Sequence, residues 1–339
     1  RRVRSAPTSV QQHDVHSPPH VMPFPSPFAS RHIVVGASAH AEIVAALRER
    51  RPDVECRGAL HTGVTADDLA WADTYVGFKR PPAAATMGSV RWVHCTGAGV
   101  DSWLSPVELD RDILLTRTPE SFGPAIAEWV VARVFAVQQQ LADLALAQRE
   151  GRWAPREISL VAGTHAVVIG TGDVGRAVAT SLAALGVTVD GVSRTGVSTH
   201  AAFRAVHPVS ALPELVGDAQ WVVLTVPDTP ATRGLFSRDV MSRCRNTVLL
   251  NAGRGSVVDE GALPEALERD WLRAVALDVF AVEPLPAASP LWAHPRVMIS
   301  PHCSGRTTVA CAVDGFIECL EVLAQGRVPT WVVDRNRGY

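Results

Sequence analysis

The sequence predicts an α/β protein built on doubly wound parallel sheets. Short apolar runs alternate with helical stretches along most of its 339 residues, the pattern of parallel strands joined by crossover helices. A G-x-G-x-x-G turn at Gly170, Gly172 and Gly175 lies between an apolar strand and a helix. At roughly 100–200 residues per domain, the length calls for two domains.

The first unit runs from about Phe28 to Ser121. Its strands are expected at His32–Gly36, Val54–Arg57, Thr74–Phe78 and Arg91–Cys95, with a helix over Ala39–Arg51 ended by Pro52. A single long helix is expected from Pro124 to about Arg149. Pro124 suits its first turn and Gly151 its stop. Ile126, Val130, Val134 and Val137 give it one buried stripe, and it could join two domains. The second unit, from about His165 to Pro301, carries six strand candidates: His165–Ile169, Val187–Val192, Trp221–Val226, Thr247–Leu250, Ala274–Leu277 and Val297–Ile299. Six strands with intervening helices match a doubly wound nucleotide-binding domain. Arg306–Gln325 closes the pattern as an amphipathic helix stopped by Gly326.

Composition excludes several classes. Apolar residues make up 47% and charged residues 19%, which suits a packed protein. A net charge of −2 gives no electrostatic case for nucleic acid or an anionic membrane. No apolar run reaches the ~18 residues of a membrane span. The six cysteines form no C-x-x-C pair and are too few for a disulfide scaffold, so reduced thiols in a cytoplasmic protein are expected. Residues 1–27, rich in proline, read as a flexible leader or an expression remnant. His13, His16 and His20 lack the acidic or cysteine partners of a metal site, so no metal is expected.

The turn Gly170-Thr171-Gly172-Asp173-Val174-Gly175 suits a dinucleotide pyrophosphate. The first glycine permits the tight bend, the second lets phosphate approach the backbone, and the third lets helix pack on strand. The helix over Asp173–Leu185 would offer its unpaired N–H groups. The second strand ends Val192-Ser193-Arg194-Thr195, with no acid at its tip, and Asp190 comes too early to hold a ribose. Ser193, Arg194 and Thr195 suit a 2′-phosphate, through a guanidinium fork and hydroxyl donors. NADP(H) is therefore expected over NAD(H), with NAD(H) the alternate.

Three further segments carry chemistry: LLNAGRGSVVDE over Leu249–Glu260, ALDVFAVEPLP over Ala276–Pro286, and ISPHCSG over Ile299–Gly305. With TGAGVDSW at Thr96–Trp103, VPDTPATRGLF at Val226–Phe236 and VVDRNRGY at Val332–Tyr339, the chain resembles the D-isomer-specific 2-hydroxyacid dehydrogenase family over nearly all of residues 30–339. The resemblance implies that Arg254 binds the substrate carboxylate and polarises its 2-oxo group. It implies that His302 protonates the carbonyl oxygen, that Glu283 bonds His302 and favours its protonated form, and that Asp278 meets the nicotinamide end. Val226, Pro227 and Ala252 would flank the cofactor. The chemistry wants these residue types: negative charge builds on oxygen during reduction, and a cation and a proton donor lower that barrier.

On the substrate side, the resemblance implies carboxylate binding by the backbone N–H groups of Ala98 and Gly99. Gly77 would face the same cleft, and Lys79 would either add positive charge for an acidic or phosphorylated substrate or face solvent. Trp292 resembles a family position near the site, with packing an equal reading. The implied architecture is two Rossmann-like doubly wound parallel-sheet domains with a cleft between them. A discontinuous substrate-binding domain (28–121 plus 306–339) would face a dinucleotide-binding domain (122–305). The implied assembly is a homodimer. The implied activity is NAD(P)H-dependent reduction of a small 2-oxo acid, such as glyoxylate or hydroxypyruvate, to its D-2-hydroxy acid. Two alternatives stay open: oxidation of a specialised donor such as phosphite, or turnover of a phosphonate oxo acid, and a non-enzymatic, corepressor-like nucleotide sensor. Formate enzymes carry glutamine at the glutamate position, so Glu283 argues against that branch.

Overall fold

Two parallel sheets organise the computed structural model, which describes residues 27–82, 86–105, 107–118, 122–305 and 307–338. The three leader histidines and Arg306 lie outside the described residues.

The first sheet comprises β1 (His32–Gly36), β2 (Glu55–Ala59), β3 (Thr74–Val76), β4 (Trp92–Cys95) and β5 (Leu114–Arg117), in the order β2-β1-β3-β4-β5. Helices α1 (His40–Arg50), α2 (Ala66–Trp71) and α3 (Asp101–Leu104) lie between them. Then come α4 (Gly123–Gln138) and α5 (Leu141–Arg149). The second sheet holds β6 (His165–Ile169), β7 (Thr188–Ser193), β8 (Ala205–Pro208), β9 (Trp221–Leu224), β10 (Thr247–Asn251), β11 (Leu272–Leu277) and β12 (Val297–Ile299). Its order is β12-β11-β10-β9-β6-β7-β8. Its helices are α6 (Asp173–Ala184), α7 (Leu212–Leu215), α8 (Arg238–Met241) and α9 (Leu263–Glu268), and α10 (Val309–Ala324) closes the chain.

Central strands such as WVVL over 221–224 are buried residue for residue, as strands covered by helices on both faces must be. The final helix turns back to the first sheet. Ala312, Val313, Phe316 and Leu320 of α10 share one core with Ile33, Val35 and Trp92, and the Phe316 ring stacks on Trp92 at 4.8 Å. Helix α4 instead packs with α6 on the second sheet, through Val130 and Val134 against Val178 and Leu182.

Four expectations are corrected. The long helix is two, broken where Gln140 takes a left-handed φ of 52°. Side-chain amides of Gln138 and Gln140 donate there to the carbonyls of Ser159, Leu160 and Glu157, so the break is bound to the following segment. Two strands were not anticipated, β5 and β8. The latter is a half-exposed edge strand with little apolar signature. β3 ends at Val76, leaving Gly77 and Phe78 in the following loop. Residues 307–308 precede the final helix, which Thr308 caps by accepting from the Cys311 N–H.

In each sheet the strand order reverses once, between β1 and β3 and between β6 and β9. Ligands of such sheets bind at the carboxyl ends of strands beside that reversal. Here the loops after β3, β4, β10, β11 and β12 meet around one cavity of about 860 Å³.

Candidate active site

The glycine turn follows β6 as expected. Gly170 adopts φ 103°, and a Cβ on Gly175 would lie 1.8 Å from the Gly170 carbonyl oxygen, so helix and turn touch only because the position is glycine. Gly172 is exposed with open space around its Cα, and it precedes the twelve residues of α6. Thr171 and Val174 are half-buried beside it, and Asp173 is exposed. A cradle of uncommitted N–H groups opening on space fits a pyrophosphate.

At the tip of β7, Ser193 accepts from the Gly196 N–H at 3.0 Å, while Arg194 and Thr195 are exposed. The Arg194 guanidinium has no partner among the described residues. Asp190 points elsewhere. It is buried, accepts from Arg204 through both oxygens, and meets His165 Nε2 at 3.0 Å. Burial would raise its pKa, but Arg204 and His165 together outweigh that and hold the carboxyl below its ordinary value. It is therefore already spent as an ion-pair partner.

The next tips along the sheet follow in spatial order. Val226 and Pro227 after β9 are half-buried, and Ala252 after β10 is buried. From β7 to β11 is four inter-strand steps, about 19 Å at ~4.8 Å each. His302 follows β12, one strand further, so an extended dinucleotide can lie along this edge from Arg194 to the tip of β11 beside His302.

Arg254 leaves β10 on a turn that Asn251 pins. The fully buried Asn251 donates through Nδ2 to the Arg254 carbonyl at 3.0 Å and accepts from the Gly253 N–H at 3.0 Å. The guanidinium crosses to the first sheet's loops. Nε donates to Asp101 Oδ2 at 2.8 Å, and Nη1 donates to the Gly253 carbonyl at 2.7 Å. Its Nη2 would lie 1.5 Å from a Cβ on Gly99, so any side chain there would displace the arginine. The N–H groups of Ala98 and Gly99 have no acceptor among the described residues. The arginine thus lies against Gly99, whose N–H, like that of the preceding Ala98, is uncommitted, an arrangement suited to a carboxylate.

His302 stands on the loop after β12 with φ 50°. Its N–H donates to the Asp278 carbonyl at 2.7 Å, and its Nδ1 lies 2.8 Å from Glu283 Oε2. Glu283 also accepts from the Phe280 N–H at 3.0 Å through Oε1. Burial raises the Glu283 pKa, but the bonds from His302 and Phe280 outweigh it and hold the carboxyl below its ordinary value. An ionised Glu283 fixes the ring by one nitrogen and leaves Nε2 toward the cavity, which both residues line.

Asp278, expected at the nicotinamide end, has no exposed surface. Its Oδ1 accepts from Ser300 Oγ at 2.5 Å and the Cys303 N–H at 3.0 Å, and its Oδ2 accepts from the Ser304 N–H at 2.8 Å. Burial opposes ionisation, but these donors outweigh it and keep the pKa low. In this structure Asp278 holds the His302 loop in place and leaves no oxygen open to the cleft. Trp129 of α4 donates to Ser300 Oγ at 2.9 Å and ties α4 into the same network.

Gly77 is turned inward. It is buried, and its N–H donates to the His94 carbonyl, so Phe78 and Lys79 face the cleft in its place. Trp292 is 53% exposed, donates to the Pro286 carbonyl and does not line the cleft. Sequence reasoning missed Asp101 as a side chain, Asn251, and the cleft residues His61 and Asp228. Asp101 lay inside the quoted TGAGVDSW segment, but its partner is 153 residues away.

Comparison with known proteins gives one direction. The profile of the D-isomer specific 2-hydroxyacid dehydrogenase, NAD binding domain, matches residues 131–304. A glyoxylate/hydroxypyruvate reductase A from Yersinia enterocolitica is 32% identical over 267 residues, 75% of this chain and 83% of that protein. A D-isomer specific 2-hydroxyacid dehydrogenase from Xanthobacter autotrophicus, solved with NADPH and MES, superposes with TM-score 0.83 at 30% identity, over 92% of this chain and all of that one. An NADPH-dependent glyoxylate/hydroxypyruvate reductase from Sinorhizobium meliloti, solved with NADP and sulfate, gives 0.80 at 25% identity, over 91% and 99%.

Proposed function

Because the chain belongs to the D-isomer-specific 2-hydroxyacid dehydrogenase family, whose members are NAD(P)-dependent oxidoreductases, we propose that it uses NADPH to reduce a small 2-oxo acid to the D-2-hydroxy acid. Glyoxylate and hydroxypyruvate, the substrates named for its relatives, are the first candidates. One observation carries this reading. Arg254 and the His302–Glu283 pair line one cleft, and Gly99 lies against the Arg254 guanidinium.

The turn at Gly170–Gly175 would hold the pyrophosphate and Arg194 the 2′-phosphate, with Ser193 and Thr195 beside it. Bound there, the cofactor supplies the hydride. Arg254 and the N–H groups of Ala98 and Gly99 grip the substrate carboxylate and present its carbonyl to His302. As negative charge gathers on the carbonyl oxygen, Arg254 stabilises it and His302 Nε2 delivers the proton. Glu283 stays ionised and stabilises the imidazolium beforehand. Closure of the cleft excludes water.

The test is to follow the dinucleotide's absorbance with glyoxylate and hydroxypyruvate, using NADPH and NADH separately. Consumption of NADPH is expected. No consumption of either cofactor would sink the proposal. Arg194→Ala is expected to raise the KM for NADPH about tenfold or more, by losing a charge-assisted fork, and to leave NADH use nearly unchanged. Equal effects on both cofactors would remove Arg194 from this role.

We also propose the discontinuous domain division, with 28–121 and 306–339 on the substrate side and 122–305 on the cofactor side. The packing of α10 on the first sheet and α4 on the second supports it. Exposed Leu141, Leu146, Trp153, Ile158 and Leu160, on α5 and the segment after it, support a homodimer joined through this face. Sedimentation at the mass of a single chain would contradict that. The free cysteines, and the absence of any helix long and apolar enough to cross a membrane among the described residues, support a cytoplasmic place.

A further inference from the structure

The cleft of about 860 Å³ holds the reacting centre and, in the reading above, receives the nicotinamide end of the cofactor as well as the substrate. A second cavity of about 390 Å³ adjoins it, and the two share His61, Phe78 and Lys79. The substrate chamber therefore continues past the reacting centre.

Charge along this chamber is uneven. Arg80, which also lines it, donates to the Val107 carbonyl. Each of its carboxylates is paired: Asp101 with Arg254, Asp228 with Arg233, and Glu283 with His302. The Lys79 ammonium is not. It has no hydrogen-bond or ion-pair partner among the described residues, and the His61 ring has none either. Both sit where the two cavities meet, next to the Phe78 ring. An unpaired ammonium beside an imidazole where the two cavities meet favours an anion there.

We infer that the preferred substrate is a 2-oxo acid carrying a second anionic group, carboxylate or phosphonate, on its tail. Arg254 takes the 2-oxo acid end and Lys79, with His61, takes the distal anion. This rests on the reductase reading above and names the substrate class of that same site. Lys79 is then a specificity residue that acts on the tail and leaves the reacting carbonyl to Arg254 and His302.

The test compares kcat/KM with NADPH for 2-oxobutyrate, 2-oxoglutarate and 3-phosphonopyruvate, in the wild type, Lys79→Met and Lys79→Arg. Lys79 is exposed, and methionine keeps most of its aliphatic length, so the variants should fold. The wild type is expected to favour one or both anion-tailed acids over 2-oxobutyrate by about tenfold to a hundredfold, the worth of a charge-assisted contact. The acid that gains identifies the distal group. Lys79→Met is expected to collapse that ratio, and Lys79→Arg to restore most of it. A ratio unchanged in Lys79→Met, or a wild type that prefers 2-oxobutyrate, overturns this inference while leaving the reductase reading intact. No turnover on these acids or on glyoxylate overturns both.

Discussion

Replacing His302 with asparagine is expected to lower kcat for 2-oxo acid reduction roughly a hundredfold to ten-thousandfold, the usual span for loss of a general acid. The backbone favours this variant as a clean test. His302 holds a left-handed φ of 50°, and asparagine tolerates that region better than almost any residue with a Cβ. The loop also keeps the bonds from His302 N–H, Cys303 N–H and Ser304 N–H to Asp278, which do not depend on the imidazole. NADPH affinity, measured by fluorescence, should therefore stay near wild type while turnover falls. Activity within a few-fold of wild type would remove His302 from the proton transfer.

Arg254→Met is expected to cut kcat/KM about a thousandfold, through KM and kcat together. Two effects add. The variant loses the cation that binds the carboxylate and stabilises charge on the carbonyl oxygen. It also frees Asp101, which Arg254 neutralises at 2.8 Å, and a bare carboxylate in the cleft repels an anionic substrate. Arg254→Lys should recover only part of the loss, because a point charge cannot bond Asp101 through one nitrogen and the substrate through another in the same fixed plane. Steady-state kinetics on glyoxylate and hydroxypyruvate read this directly. A loss below tenfold in Arg254→Met would show that the carboxylate is held elsewhere.

Much of this site was legible because its local signals are strong. The Gly170–Gly175 turn needs glycine for reasons a sequence states on its face. The strands feeding Arg254 and His302 are short apolar runs ending in polar residues, and the structure places both residues on the cleft they were expected to share. What stayed hidden depends on distance along the chain. The Arg254–Asp101 pair spans 153 residues, and no local pattern couples them. For Asp278 the family resemblance implies a contact with the nicotinamide end. Only the fold brings Ser300, Cys303 and Ser304 around it and buries it. Gly77 is turned inward because its N–H pairs with the His94 carbonyl beyond the end of β3 and the Gly36 carbonyl lies against it. The apolar stripe of the predicted helix ends at Val137, before the break at Gln140, and the leucines beyond it, Leu141 and Leu146, are exposed.

The most direct test of the whole account is chiral analysis of the product formed from hydroxypyruvate and NADPH. The account predicts D-glycerate alone, one molecule for each NADPH consumed. L-glycerate, a racemic mixture, or no product at all would contradict it.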